Sequence, residues 1–155
     1  MGTALAVTAW LRGADVYVVA GPNSQYIPQD SRLQCHSVTS ADEMYEKCHE
    51  LWDAMDYGIF TAAVADFKPR AGLAHEEDTS AFHTIKFKKE NHADGFDIHF
   101  TPNHDILKSI GQIKKPGQKL MGFSAESGSH TDELAKAVKQ KLVNKNCDIV
   151  VGNFI

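Results

Sequence analysis

Cysteine is scarce in this chain of 155 residues. Cys35, Cys48 and Cys147 stand far apart with no CxxC pair, which argues against a zinc knuckle or a disulfide framework and fits a reducing cytoplasm. Positive charge is not in excess: 16 Lys and Arg against 20 Asp and Glu leave a formal net charge of −4. The overall balance therefore attracts neither nucleic acid nor an anionic membrane surface, and any anion site must be local. Long apolar runs are missing too. No stretch approaches the roughly 20 residues that cross a bilayer, and the N-terminus has no basic region followed by an apolar signal core. Neither GxSxG nor a GxxxxGKS/T loop occurs, which removes the usual hydrolase and P-loop signatures. The eight histidines include no HExxH and no close cysteine partners, so no metal held by this chain alone is expected.

What is present suits one globular domain over residues 1–155: 43% of residues are hydrophobic and 23% charged. MGTALAVTAWLRG (1–13) reads as a helix ending at Gly13, a suitable C′ residue. DVYVVAGP (15–22) and YGIFTAAVA (57–65) are apolar runs of the kind buried on both faces of a parallel sheet. LQCHSV (33–38), KLMGFSA (119–125) and CDIVVG (147–152) are further strands. Ser40 with Glu43 forms a capping box, followed at helical spacing by Met44, Cys48, Leu51, Trp52 and Met55. Residues 103–110 and 131–145 read as two more helices, and 68–80 as a mobile polar loop. FHTIKFKK (82–89) and GFDIHFT (95–101) alternate and predict an antiparallel hairpin. The predicted fold is a three-layer, Rossmann-like α/β arrangement: a mostly parallel sheet with a β-hairpin excursion.

In such sheets ligands gather where the strands end at their carboxyl side. There the chain offers Gly21-Pro22-Asn23-Ser24, Ala65-Asp66, Phe123-Ser124-Ala125-Glu126 and Asn153. Small residues at 62, 63 and 65 let a flat base approach bare backbone, and Asp66 can accept a hydrogen bond from a sugar hydroxyl or an amino group. The same residues also suit packing of the alanines on a helix, with Asp66 capping the next turn. Lys68, Arg70, Lys86, Lys88 and Lys89 can gather as a positive cluster for phosphate or carboxylate; lysines equally protect an exposed edge strand. Lys141 and Lys145 are an i, i+4 pair that also fits the helix dipole.

Taken in order, AAVADFKP (62–69), KFKK (86–89), NHDIL (103–107), GFSAES (122–127) and KLVNKNCDIVVGN (141–153) resemble the bacterial phosphopantothenoylcysteine synthetases. RGADVYVVAGPNS (12–24) and SADEMYE (40–46) extend the resemblance over nearly the whole chain. These enzymes form the ligase half of a bifunctional coenzyme A biosynthesis flavoprotein. The resemblance implies CTP-dependent ligation of 4′-phosphopantothenate to cysteine through an acyl-cytidylate, with Mg2+ accompanying the triphosphate. Lys86 is then the catalytic lysine that binds CTP and stabilises charge at phosphorus. Phe60, Thr61, Ala62, Ala63, Asp66, Pro102, Asn103, His104, Asp105, Phe123, Lys141 and Lys145 fall on nucleotide positions. It also implies a homodimer through the 82–101 region, and FMN only on a fused decarboxylase domain. Met1-Gly2 matches the end of the family's SSGKMG segment, so the chain is expected to be a fragment, lacking the Gly/Ser-rich phosphate loop upstream and a stretch after Ile155. The family's KNPD reads Pro102-Asn103-His104-Asp105 here, losing a positive charge. Two other classes compete: a non-catalytic module that binds nucleotide without turnover, and an NAD(P)-dependent Rossmann reductase. Against the reductase, the strand at 15–22 ends in Gly-Pro, not in an acid for the ribose.

Overall fold

The structure, a computed structural model, describes residues 1–22, 26–69 and 98–155. In chain order the described elements are α1 (Gly2–Leu11), β1 (Val16–Ala20), β2 (Leu33–Ser37), α2 (Ala41–Trp52), β3 (Tyr57–Phe60) and β4 (Phe67–Pro69). They continue with β5 (Phe100–Pro102), α3 (Ile106–Ile113), β6 (Lys119–Glu126), α4 (Thr131–Asn144) and β7 (Ile149–Phe154). Two compact units result, one of Met1–Val64 with His104–Ile155, the other of Ala65–Asn103.

In the larger unit, local chemistry sets each boundary. α1 stops where Gly13 takes φ +96°, a left-handed conformation that glycine adopts without steric cost. Ser40 Oγ accepts the Glu43 N–H at 3.2 Å and caps α2. The Glu43 carboxylate reaches back to the N–H of Thr39 at 2.7 Å and to its hydroxyl at 3.0 Å, one residue beyond the simple capping box. β1 and β2 pair in parallel, Val16 opposite Leu33 and Ala20 opposite Ser37. β3, β6 and β7 form a second parallel set with β6 in the middle, Phe60 opposite Gly122 and Phe123 opposite Val151. Parallel neighbours need a crossover, and between β6 and β7 α4 supplies it. This is a Rossmann-like α/β fold.

Trp52, Ile106, Ile110, Leu120 and Cys147 make the core, with Met44, Cys48, Met55 and Phe60 packed around them. Glycines bring the helices close to the sheet. A Cβ on Gly122 would stand 2.6 Å from Leu107, and one on Gly152 2.5 Å from Val138. The opposite face of the same strands is open among the described residues: Tyr57 is 73% exposed and Ile149 54%. The expectation of strands buried on both faces therefore holds on one face only. β3 is also shorter than the apolar run from 57 to 65, because its ladder with β6 ends at Phe60. An apolar run reports hydrophobicity, not whether each peptide group finds a neighbouring strand.

In the smaller unit, β4 and β5 run antiparallel, Phe67 opposite Pro102 and Pro69 opposite Phe100. The stretch from Lys68 was expected to be loop, yet its first residues are strand; Phe67, Lys68 and Pro69 gain ladder partners that lie more than 30 residues away in the chain. Residues 70–97, with most of the expected hairpin, lie outside the described residues, as do Asn23 and Ser24.

Candidate functional site

β3 delivers its last residue, half-buried Phe60, to the core, and the chain then leaves regular structure. Ala62 and Ala63 are exposed there, as a surface of accessible backbone requires. Thr61 lies against α1: a Cβ on Gly2 would come within 2.6 Å of its Oγ1, so glycine allows that approach.

α3 is capped by Asp105, whose Oδ1 accepts the Lys108 N–H at 3.0 Å. Its other oxygen, Oδ2, lies 3.0 Å from Lys145 Nζ. His104 packs its ring 4.7 Å from that of Tyr45, and Nε2 is 3.9 Å from Asp42. One turn before Lys145, Lys141 Nζ donates to the Phe123 carbonyl at 3.4 Å and lies 4.0 Å from Glu126 Oε1. Glu126 in turn accepts the hydroxyl of Ser124 at 2.5 Å. Ser124 and Glu126 are two residues apart on β6 and so share a face. The structure thus brings Asp105, Phe123, Lys141 and Lys145 together around α4's last turn.

The smaller unit holds Asp66, Lys68, Pro102 and Asn103. Asn103 donates its backbone N–H to the Asp66 carbonyl at 2.7 Å and its side-chain amide to the Ala65 carbonyl at 3.1 Å. Lys68 sits in the ladder opposite Thr101. Arg70, Lys86, Lys88 and Lys89 lie outside the described residues.

Two of the three thiols are poor nucleophiles. Burial pushes the Cys48 thiol up to about 11 and also raises Cys147, while Cys35 is exposed on β2. Among the described residues no cluster of three or more His, Cys, Asp or Glu could hold a metal ion. No helix among them is long and apolar enough to cross a membrane.

Sequence reasoning named Glu126 only as a strand-end residue and missed its link to Lys141. It also missed two residues that shape the site. Asn146, at φ +50°, turns the chain out of α4 and donates its side-chain amide to the Gly111 carbonyl at 2.8 Å. Asp148 receives Lys114, Lys119 and the Leu120 N–H. The KNxD pattern carried the signal: Asn tolerates the left-handed region, and an acid just before an apolar strand is poised to take partners from neighbouring elements.

The whole chain, residues 1–155, matches the family model described as "DNA/pantothenate metabolism flavoprotein C-terminal domain". The coenzyme A biosynthesis bifunctional protein CoaBC of Bacillus subtilis is 37% identical over 155 residues, which is 100% of this chain and 34% of that protein. The chain therefore spans about a third of this curated relative's length. The crystal structure of the C-terminal domain of a CoaBC superposes with a TM-score of 0.72 at 30% identity, over 98% of this chain and 62% of the other. The DNA/pantothenate metabolism flavoprotein of Streptococcus pneumoniae superposes with a TM-score of 0.80 over 99% of this chain and 70% of the other. At 17% identity, that likeness speaks for the fold alone.

Proposed function

As this chain belongs to the family of DNA/pantothenate metabolism flavoprotein C-terminal domains, we propose that it serves coenzyme A biosynthesis in the cytoplasm as a CTP-dependent ligase of 4′-phosphopantothenate and cysteine. The substrate carboxylate attacks the α-phosphorus of CTP, and pyrophosphate leaves with the electrons of the broken P–O bond. The cysteine amine then attacks the acyl carbon, loses its proton and expels CMP. Both steps build negative charge on phosphate oxygens, so the protein's task is to orient the reactants and supply cations.

One observation carries this reading. Segments far apart in the chain, NHDIL, GFSAES and KxxxKNxD, meet through Lys141 on the Phe123 carbonyl and Lys145 on Asp105. Two ammonium groups one helical turn apart, each beside a carboxylate (Asp105 and Glu126), are the local cations that a chain of net charge −4 offers to an anionic ligand. Ala62 and Ala63 expose backbone that suits the base.

Titration with magnesium–CTP and with NADPH tests the proposal: CTP is expected to bind and NADPH not to. Tight NADPH binding would favour the reductase instead. Pyrophosphate release that requires 4′-phosphopantothenate marks the ligase; CTP affinity with no release marks a non-catalytic nucleotide module. Within the ligase reading, Lys86→Ala in KFKK is expected to lower turnover about a hundredfold with an unchanged melting curve. Retained turnover would remove Lys86 from that role.

A further inference from the structure

Ser124 is the one buried polar or charged residue among those described, with 0% exposure. A hydroxyl there must be paired or lose its hydration without return. It is paired with Glu126 at 2.5 Å. That bond fixes the carboxylate, because Ser124 has a short, buried side chain with no freedom to follow a moving partner. Glu126 in turn stands 4.0 Å from Lys141 Nζ, and the ammonium also donates to the Phe123 carbonyl at 3.4 Å. Lysine has four rotatable bonds and three donors; one hydrogen bond to the Phe123 carbonyl and one carboxylate at ion-pair distance, both on one strand, restrict the ammonium and leave two donors for a further ligand.

We infer that Glu126, locked by Ser124, is the positioning residue that aims Lys141 at the nucleotide phosphates. This rests on the nucleotide-site reading above and adds to it a residue that acts through another. The contacts place a negative group beside an anion site, which by charge alone weakens anion binding. Such a placement is useful only if the ordering of Lys141 outweighs the repulsion.

That opposition gives the test its sign. Glu126→Gln keeps an oxygen to accept the Ser124 hydroxyl but removes the charge that holds the ammonium. Titration of the full chain with magnesium–CTP is expected to show affinity about tenfold weaker in Glu126→Gln, with the thermal midpoint within a degree or two of the parent. Lys141→Ala is expected to lose a similar factor, and the double variant no more than Lys141→Ala alone, as coupled residues do. Unchanged or tighter binding in Glu126→Gln, or losses that multiply in the double variant, would overturn the inference. A parent chain that binds no CTP would instead remove the nucleotide reading itself. Should Glu126→Gln melt early, Glu126→Asp separates the roles. It keeps the charge on a shorter arm and is expected to recover part of the affinity, and no recovery would also count against positioning.

Discussion

Gly111→Ala is expected to lower the thermal midpoint by about 10 °C, from a loss of about 4 kcal/mol. The change would ordinarily help, since alanine is favoured over glycine inside a helix by about 1 kcal/mol. Sterics decide otherwise. A Cβ at this position would lie 2.0 Å from the Lys145 carbonyl oxygen and 3.0 Å from its carbon, both backbone atoms that no rotamer change can move. α3 and the end of α4 must then separate, which strips the Asn146 amide from the Gly111 carbonyl and loosens fully buried Ile110. The same movement draws Lys145 from Asp105, so loss of CTP affinity is expected alongside the loss of stability. Calorimetry of the variant checks it; an unchanged midpoint would mean that the two helices slide past each other freely.

Much of this arrangement was legible in the residues. The end of α1 at Gly13, the cap at Ser40 and the spacing of α2 are local events, fixed within one or two turns by backbone conformation and side-chain acceptors. The short strand candidate at 33–38 and the apolar stretches at 119–125 and 147–152 led to β2, β6 and β7. What could not be read depends on neighbours distant in the chain. Whether Tyr57 and Ile149 are covered is decided by which helices lie over the sheet. Phe67–Pro69 is a strand because Phe100–Pro102 lies beside it, and no local pattern announces that. In the site, Lys141 and Lys145 fitted the helix dipole as well as they fitted a ligand. Their partner carboxylates, Glu126 and Asp105, lie 15 and 40 residues away in the chain and separate the two readings only once the fold is in hand.

The same dependence on distant partners makes Asp148 the residue whose loss of charge should cost most. Its Oδ2 accepts from Lys114 Nζ at 2.8 Å and from the Leu120 N–H at 2.9 Å, while Oδ1 accepts from Lys119 Nζ at 3.0 Å. Lys114 also donates to the Asn146 carbonyl at 2.7 Å, so the carboxylate ties the ends of α3 and α4 to the start of β6. The hydrogen bond from Lys114, then the Leu120 N–H and Lys119, hold the Asp148 carboxyl well below the usual carboxylate range. A group lowered in this way stabilises the fold above its unfolded value, near 3.9, and the contribution is lost as pH falls through the lower folded value. Asp148→Asn leaves the Lys114 ammonium, its side chain only 13% exposed, facing an amide. Lys119, with 56% of its side chain exposed, is screened by solvent and contributes little. The expected loss is about 3 kcal/mol at pH 7, the lower end for breaking a buried pair because Asp148 keeps 24% of its side chain in water. Urea unfolding at pH 7, 5 and 3 reads both parts of this. The gap between parent and variant should be equal at pH 7 and 5, then narrow below about pH 4 by up to about 1.4 kcal/mol per unit. A gap that persists unchanged to pH 3 would assign the loss to packing and not to the charge.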